Sequence, residues 1–264
     1  MAIVTISRGS YSRGKEIAEK VARRLGYECI ARETLLEASQ QFNVPEIKLV
    51  RAIQDAPSFF DRFLYGKERY IAYIQTALLR HLRNDNVVYH GFAGHFLVTG
   101  VSHVLKARIV AGLDTRVSIV MDRDKVSRRE ALHFLKKIDD QRRKWSRSLY
   151  GIDTGDPSLY DLVLNVDRLT ADDAVDVICD TVKQPAFQTT PESQKAMDDL
   201  LLACEVKAVL IEIKPDLEVT ADDGIVMVKT RADMSQEEHL VEELSRSGQT
   251  VPGVREVRVD VVPL

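Results

Sequence analysis

The chain of 264 residues contains few cysteines and few aromatic side chains. Its three cysteines, Cys29, Cys179 and Cys204, lie far apart and are odd in number, which argues against a disulfide framework or a zinc site. Such sparing use of cysteine is typical of a reducing compartment, so we expect a cytoplasmic protein. Hydrophobic residues at 45% and charged residues at 29% exclude a disordered or fibrous chain.

Long apolar runs are also missing from the sequence. No stretch reaches the roughly 18–20 consecutive apolar residues that a membrane span requires. Residues 1–6 (MAIVTI) lack the basic start and the extended apolar core of a signal peptide. We therefore expect neither a membrane-spanning protein nor a secreted one.

Charge is distributed unevenly along the chain, although the formal net charge is only −3. Residues 190–264 carry 16 acidic and 8 basic side chains, whereas basic side chains are in excess before residue 190. The stretch 184–191 (QPAFQTTP) has two prolines, no charged residue and no clear apolar period. The asymmetry and this stretch predict two domains, residues 1–183 and 192–264, joined by a linker at 184–191.

Apolar segments alternate with helical patterns in residues 1–183. The segments rich in apolar and β-branched residues predict strands at 2–7, 27–30, 86–90, 106–111 and 162–166. Helical patterns lie between them, including several pieces across 32–83 that break near Pro45 and Pro57. This alternation predicts an α/β fold with a parallel sheet covered on both faces, and such a sheet binds ligands at the carboxyl ends of its strands.

Residues 192–264 follow a different pattern. Apolar residues at helical spacing predict a helix over 193–213, and a hairpin is predicted over 217–228 around the turn at 222–224 (DDG). A further helix is predicted over 235–245, with Ser235 and Glu238 as a capping box. Strict alternation predicts a strand over 254–261. These elements indicate a small α+β module.

A glycine-containing loop directly follows the first predicted strand. It matches the Gly-x4-Gly-Lys pattern of phosphate-binding loops in the required strand–loop–helix context. Its glycines allow backbone amides to face an anion, and the start of the following helix adds positive charge. Glu16, at the position where such loops usually have Ser or Thr, either lies in the first helical turn or approaches phosphate through a metal. The predicted anion-binding residues are Gly9, Ser10, Tyr11, Ser12, Arg13, Gly14, Lys15 and Glu16.

Residues 122–147 form a strongly basic segment with ten basic and five acidic side chains. A solvated surface helix with ion pairs four residues apart is one explanation. A lid whose arginines, such as Arg142 and Arg143, fold over phosphates is another, and the phosphate-binding loop in the same domain favours it. A nucleic-acid-binding surface is the third explanation. Because the net charge of the domain is modest, we expect no nucleic-acid partner.

Three histidines, His90, His95 and His103, lie around the third predicted strand. Their spacing matches no single helix face and no cysteine accompanies them, so we predict no metal site and interpret them as ordinary loop and helix residues. His90, at the carboxyl end of the strand, remains a candidate for substrate binding. Asp85 precedes the strand, so the metal-holding acid of many phosphate-loop enzymes is not evident.

Several motifs in residues 1–183 resemble those of the cytidylate kinase-like family, a branch of the P-loop nucleoside monophosphate kinases. The matching segments are 6–8 (ISR), 14–18 (GKEIA), 25–27 (LGY), 107–111 (ARIVA), 137–142 (KIDDQR), 150–153 (YGID) and 156–165 (DPSLYDLVLN). The resemblance implies a three-layer P-loop kinase fold. It also implies phosphoryl transfer from ATP, with Mg²⁺, to a nucleoside monophosphate such as CMP. A glutamate after the loop lysine is usual in this family.

The same resemblance implies roles for individual residues. The donor nucleotide would bind to the loop at 9–16 and to Arg123. The implied catalytic residues are Lys15, Arg142 and Arg143, and the implied residues for the acceptor are Arg32, His90, Gly91 and Asp139.

The sequence departs from the family pattern at two places. Tyr11 and Arg13 occupy loop positions usually given to glycine. Residues 90–92 (HGF) stand where the family usually has Gly-Arg-Gly, so a phosphate-binding arginine is missing there. These departures leave a second function open, a catalytically weak or inactive nucleotide-binding regulator that acts through its C-terminal module.

Residues 192–264 resemble a BON domain in the segments 217–219 (LEV), 223–228 (DGIVMV) and 251–259 (VPGVREVRV). The resemblance implies a module that binds a ligand or a surface, often proposed to be phospholipid. An acidic module is poorly suited to an anionic bilayer, so we expect a protein or small-ligand partner instead of a membrane. A surface-binding protein led by this module is the third functional interpretation.

Overall fold

The first 183 residues contain a five-stranded parallel sheet. The computed structural model describes residues 1–31, 33–43, 64–91, 94–233, 235 and 237–263. The strands are β1 Ile3–Arg8, β2 Glu28–Ile30, β3 Val87–His90, β4 Val104–Val110 and β5 Leu162–Asn165, in the order β2-β3-β1-β4-β5. All neighbouring strands are parallel, which confirms the α/β class expected from the sequence.

Helices cover both faces of this sheet. They are α1 Gly14–Leu25, α2 Glu33–Gln41, α3 Leu64–Leu82, α4 Gly94–Leu97, α5 Leu113–Asp124, α6 Arg128–Tyr150 and α7 Ala171–Val182. On one face, Val21 of α1 and Ile178 of α7 pack with Val4 of β1. On the other face, Leu78 of α3 packs with Ile3 of β1. Successive side chains of β1 point to opposite faces of the sheet, and both faces are covered. Residues 3–6 are therefore apolar or β-branched throughout. The predicted breaks near Pro45 and Pro57 lie outside the described residues.

In the part of the chain that the structure describes, three helices begin at capping boxes. In each box a side-chain hydroxyl accepts from the backbone N–H three residues later, and the side chain there accepts from the first residue's backbone N–H. The boxes link Ser127 with Glu130 before α6, Thr170 with Asp173 before α7, and Thr190 with Ser193 before the next helix. The start of the basic segment α6 is therefore encoded locally.

The C-terminal residues form a small module with a mixed sheet. Its elements are α8 Pro191–Leu210, β6 Glu218–Asp222, β7 Ile225–Ala232, α9 Glu237–Gly248 and β8 Glu256–Pro263. Strands β6 and β7 are antiparallel, whereas β7 and β8 are parallel. The hairpin turn has positive φ at both Asp223 and Gly224, which explains the Asp-Gly pair. Helix α9 begins at Glu237, two residues beyond the predicted start at Ser235.

Helix α8 belongs to two hydrophobic cores at once. Met197 and Cys204 are buried with Leu78 of α3. Leu210, further along the same helix, is buried with Val228 of the small sheet. A helix with apolar residues on more than one side is expected where two layers enclose it. The C-terminal module is therefore packed directly against α3.

Polar contacts reinforce the packing of α8 and its C-terminal end on α3. Arg80 of α3 pairs with Glu205 of α8 at 2.6 Å. Arg83, just after α3, pairs with Asp198 of α8 at 2.7 Å, and Arg69 of α3 pairs with Glu212, just after α8, at 3.0 Å. Tyr73 also donates its hydroxyl hydrogen bond to Glu212. These pairs are largely solvent-exposed, so they orient the interface more than they stabilise it. The division of the chain at 184–191 stays a prediction.

A buried polar network lies beside the start of α8. His103 Nδ1 is 2.7 Å from Ser193 Oγ, and His103 Nε2 is 3.3 Å from Asp85 Oδ1. Thr189 Oγ1 donates to Asp85 Oδ2 at 2.7 Å. His103 lies in the turn before β4, but it is fully buried, so this histidine contributes to the packing of the fold. Within the described ranges, no helix has the length and apolarity needed to cross a membrane.

Candidate active site

The loop after β1 has the backbone of an anion-binding turn. The Gly9 N–H donates to Ile109 O at 2.9 Å, and Ser12 Oγ lies 3.0 Å from both Gly9 O and Ile109 O. Tyr11 and Arg13 have φ of 58° and 59°, a conformation that favours glycine. Helix α1 starts immediately afterwards at Gly14. Because the first amides of a helix have no intrahelical acceptor, the loop ends at a positively polarised helix terminus.

Gly14 is required by a close approach and not by its backbone angles. A Cβ atom at this position would lie 2.6 Å from the Cβ of Arg8. Any side chain there would therefore displace either Arg8 or the start of α1. The second glycine of the motif therefore leaves space for the Arg8 side chain beside the start of α1.

The Tyr11 ring packs against α5 and α6. Its centroid is 5.8 Å from that of Phe134 in α6, and the Arg123 guanidinium of α5 lies 4.6 Å from the ring centroid. The ring also adjoins the buried cluster that contains Val117 and Leu135. This packing offsets the unfavourable backbone angle of Tyr11 and ties the loop to α5 and α6.

Lys15 and Glu16 lie on the outer surface of the first helical turn. The Lys15 side chain is 64% exposed, and its Nζ is 3.6 Å from Glu19. Glu16 is 3.1 Å from Lys20. Of the two alternatives for Glu16, the structure therefore has the helix-surface arrangement, with the carboxylate held by Lys20. Among the described residues, the long Lys15 side chain is restrained by one exposed ion pair.

Two cavities adjoin the carboxyl edge of the sheet. The loop cavity, of about 520 Å³, is lined by residues 11–16 together with Arg8, Gly9, Glu19, Ile119, Arg123, Ile138 and Arg142. The arginine cavity, of about 310 Å³, is lined by residues 7–10, Gly91, His95, Arg108, Val110, Ala111, Arg116, Asp139, Arg142, Arg143 and residues 153–155. Among the described residues, Arg8, Gly9 and Arg142 line both cavities.

The arginine cavity has an excess of positive charge. Five arginines line it, at positions 8, 108, 116, 142 and 143, against the carboxylates of Asp139 and Asp153. Burial lowers the pKa of Arg142, and the neighbouring Arg8 contributes to the same direction. Because cations gathered in a partly buried space repel one another, this arrangement favours a bound anion.

Asp139 connects the loop to α5 and α6. Ser10 Oγ donates to Asp139 Oδ1 at 2.6 Å, and Arg116 Nη2 is 2.7 Å from Asp139 Oδ2. Arg116 Nε also donates to the backbone oxygen of Ser10 at 2.8 Å. Arg142 Nη1 donates to the Arg8 backbone oxygen at 3.2 Å. These bonds fix the lysine-containing loop relative to the arginines of α6.

Arg108, Tyr160 and His95 form a group at the side of the arginine cavity. Arg108 Nη1 donates to the Tyr160 hydroxyl at 3.0 Å, and the centroids of the His95 and Tyr160 rings are 4.7 Å apart. His95 is buried. Burial, followed by the charges of Arg108 and Lys106, lowers the pKa of His95 to about 3. The imidazole is therefore neutral at pH 7.

The buried His95 predicts sensitivity to acid. Because its folded-state pKa lies below the ordinary value of 6.5, the unfolded chain takes up the proton first as pH falls. Its contribution to stability is complete above pH 6.5 and is lost as pH falls towards about 3. We expect His95→Gln to lose less unfolding free energy than the wild type between pH 7 and about pH 4.5, by on the order of 2 kcal/mol. Urea unfolding at both pH values measures this difference.

His239→Gln is the matched control, because His239 is exposed on α9. This variant should have the pH dependence of the wild type. Equal pH dependence in all three proteins would show that His95 does not cause the acid sensitivity.

The structure brings most of the predicted site residues to the two cavities. Gly9, residues 11–16 and Arg123 line the loop cavity, and Ser10, Gly91, Asp139, Arg142 and Arg143 line the arginine cavity. His90 is an exception, because it is buried within β3 and is absent from the lining of both cavities. Arg32 and Phe92 lie outside the described residues.

Among the arginine and histidine side chains that line the arginine cavity, sequence reasoning did not single out Arg8, His95, Arg108 and Arg116 as site residues. Arg8 ends β1, and Arg108 lies near the end of the adjacent parallel strand β4. Since the carboxyl ends of neighbouring parallel strands meet at one edge, the positions of these two arginines were a usable signal. His95 and Arg116 had no comparable signal.

Protein ligands for a metal are sparse at this site. The described part of the chain contains no group of three histidine, cysteine or carboxylate side chains suited to a metal ion. Mg²⁺ prefers near-octahedral oxygen ligands and is often held through substrate phosphates and water. The open loop cavity fits a metal that arrives with a polyphosphate better than a metal held by the protein alone.

The sheet has the strand order β2-β3-β1-β4-β5, and a glycine-containing loop joins its central strand β1 to α1. Arginines from α6 lie beside this loop. Together these features define a P-loop kinase fold. The chain belongs to the cytidylate kinase-like family, whose model matches residues 3–168. It is a nucleoside monophosphate kinase-like transferase, and the family expected from the sequence is confirmed. The BON-like identity of the C-terminal module stays a prediction.

Individual relatives agree with this family at low identity. The chain is similar to a cytidylate kinase of Pyrobaculum aerophilum, with 25% identity over 181 residues, which cover 68% of this chain and 92% of the relative. A cytidylate kinase of Sulfolobus acidocaldarius is 32% identical over 100 residues, 38% of this chain and 54% of that protein. A crystal structure of an uncharacterized Eubacterium ventriosum protein has the same fold, with a TM-score of 0.53, 21% identity, and coverage of 70% of this chain and 99% of that one.

Proposed function

We propose that the protein transfers a phosphoryl group from ATP to a nucleoside monophosphate, with CMP as the preferred acceptor. The observation that carries this proposal is the pair of cavities that meet at Arg8, Gly9 and Arg142. One cavity is lined by the phosphate-binding loop and the other by arginines. A donor polyphosphate and an acceptor phosphate in these cavities would meet at the shared residues.

The loop cavity suits the donor. Residues 10–14 would present backbone amides to the phosphates of ATP, and Lys15 would reach its outer phosphates. Arg123, exposed beside Tyr11, would contact the nucleotide from α5. Mg²⁺ would be bound mainly by phosphate oxygens and water, and it would neutralise charge on the transferred group.

The arginine cavity suits the acceptor. Arg142 and Arg143 are the proposed cations for its phosphate, and Asp139 and Gly91 would contact the acceptor from α6 and from the end of β3. His90 remains a proposed acceptor residue from its place at the carboxyl end of β3, and Arg32, outside the described residues, remains one as a prediction from the sequence. The surplus of guanidinium groups favours a dianionic monophosphate over an uncharged hydroxyl compound.

The transfer is balanced without a further reactant. The bond between the γ-phosphorus and the β–γ bridging oxygen breaks, and that oxygen keeps the electron pair as ADP leaves. A new bond forms between the γ-phosphorus and an oxygen of the acceptor monophosphate, which becomes a diphosphate, and any proton on that oxygen passes to solvent. Catalysis of this type consists mainly of positioning and electrostatic stabilisation.

A nucleotide-binding regulator is the second candidate. The direct packing of α8 against α3 favours it, because a signal from the nucleotide-binding part would reach the C-terminal module through a continuous interface. We further propose that residues 192–264 are a BON-like module with a protein or small-ligand partner, and that the protein acts in the cytoplasm. The acidic composition of this module supports such a partner over an anionic membrane.

Acceptor-dependent turnover separates the two candidates. The full chain is incubated with ATP, Mg²⁺ and one of CMP, UMP, AMP or GMP, and ADP and the new diphosphate are quantified against a reaction without acceptor. We expect CDP and ADP in equal amounts, with a kcat in the range of about 1–100 s⁻¹ that is usual for kinases. ATP binding in calorimetry without turnover for any acceptor would favour the regulator, and no ATP binding would contradict both.

A further inference from the structure

Arg8 occupies the boundary between the two cavities. It is the last residue of β1 and is paired in register with Ile109 of β4. Its side chain is half-buried and lines both the loop cavity and the arginine cavity. The donor and acceptor phosphates have to approach each other at this boundary for a phosphoryl group to pass between them.

The path of the Arg8 side chain is fixed by two glycine positions. Its Cβ, Cγ and Cδ lie 2.6 to 3.4 Å from the point where a Gly14 Cβ would be, so the stem runs along the start of α1. At position 91, a Cβ would lie 2.5 Å from the Tyr89 hydroxyl oxygen. The Tyr89 ring therefore occupies the space that an arginine at position 91 would need, and β3 cannot supply the cation there without a shift.

Arg8 differs from its neighbours in how its charge is balanced. Arg116 is paired with Asp139, and Arg108 is bonded to Tyr160. Among the described residues, no ion pair joins Arg8 to a carboxylate. Burial lowers the pKa of Arg8, which reflects the cost of holding its charge away from water. A partly desolvated cation without a carboxylate is suited to an anion that arrives with the substrates.

From this geometry we propose that Arg8 is a catalytic residue that contacts the transferring phosphoryl group, in place of the arginine missing at position 91. The assignment rests on the proposed kinase function. Because the guanidinium would contact charge that develops between the cavities, it should stabilise the transition state more than either bound nucleotide. Arg142, which also lines both cavities, would act beside it.

Steady-state kinetics of Arg8→Ala and Arg8→Lys test this assignment. With ATP and CMP, we expect kcat to fall by about 10²- to 10³-fold in Arg8→Ala, as is typical when one preorganised donor is removed. The KM values for both nucleotides should stay within about threefold of the wild type, because ground-state binding is retained. Arg8→Lys keeps the stem beside Gly14 and the charge, but it should still lose most of kcat because it lacks the planar fork.

Chemical rescue distinguishes a catalytic role from a structural one. Low concentrations of guanidinium chloride should restore part of the kcat of Arg8→Ala, whereas sodium chloride at equal ionic strength should not. Arg23→Ala is the matched control, because Arg23 is exposed on α1 and outside both cavities. This control should retain wild-type kcat and show no response to guanidinium.

The possible failures are distinguishable. If the wild type has no turnover with any monophosphate, the proposed function is wrong and the role of Arg8 falls with it. If the wild type is active and either folded Arg8 variant keeps the wild-type kcat, with or without a raised KM, the assignment of Arg8 is wrong and the proposed function stands. If Arg8→Ala does not fold by circular dichroism, Arg8→Lys decides by the same criterion, and misfolding of both variants would show a structural role and overturn the proposal.

Discussion

Replacing Lys15 by alanine should lower the kcat for phosphoryl transfer by about 10²- to 10³-fold while changing the free energy of unfolding by less than about 0.5 kcal/mol. The side chain is mostly exposed and has one ion pair, at 3.6 Å from Glu19, which contributes little to stability. In the transition state, the ammonium group would contact the donor's outer phosphates, where negative charge is transferred. Turnover with ATP and CMP, together with urea unfolding, measures both effects.

Lys183→Ala is the control for this experiment. Lys183 is also exposed and has one carboxylate partner, Asp180 at 3.3 Å, but it follows α7 and lies outside both cavities. It should keep wild-type turnover. Unchanged nucleotide binding and turnover in Lys15→Ala would mean that the loop does not hold the donor, and the proposed function would then be wrong.

Met197→Ala should destabilise the whole chain by about 2–4 kcal/mol, the usual loss for a buried methionine side chain. Met197 lies on α8 and is fully buried against α3 and the sheet. Because α8 contributes to both cores, we expect one cooperative unfolding transition instead of two. Urea unfolding followed by circular dichroism and by the fluorescence of the single tryptophan, Trp145, should give coincident curves for the wild type and the variant.

Met227→Ala provides the comparison, since Met227 lies on β7 and is only half-buried. The free energy of unfolding should fall by about 1 kcal/mol or less in this variant. Equal losses in the two variants would contradict the special position of Met197, and two separated transitions would contradict a shared core.

The sequence was sufficient for the fold class because the relevant signals are local. The buried run at residues 3–6 and the alternation of strands with helices required a parallel sheet, and the glycine loop after β1 indicated where a ligand would bind. The capping boxes fixed helix starts in the same local way. None of these inferences depends on which residues distant in the sequence are in contact.

The site itself depended on contacts between distant residues. Ser10 and Asp139 are 129 positions apart, yet their side chains are hydrogen-bonded. A single arginine at the end of a strand, such as Arg8, gives no periodic pattern, so its position between two cavities emerges only from the packed structure. The dual packing of α8 was missed for a related reason: its apolar residues predicted a helix but could not identify two separate surfaces.

Tyr11 illustrates how a local departure becomes understandable only in three dimensions. Its positive φ is the conformation that favours glycine, the residue usual at that position, so a tyrosine is unfavourable there, and the sequence alone gave the side chain no purpose. In the structure, the ring contacts Phe134 of α6 and Arg123 of α5, so the loop and these two helices are held together by a residue that the motif disfavours.

The late position of α8 in the chain affects folding during synthesis. Ribosomes release α3 long before α8, and at about 5–20 residues per second the apolar side of α3 remains uncovered for on the order of ten seconds. During that interval the nascent chain has a hydrophobic surface that a chaperone can bind. The packing of the kinase-like part is therefore complete only after α8 has been translated.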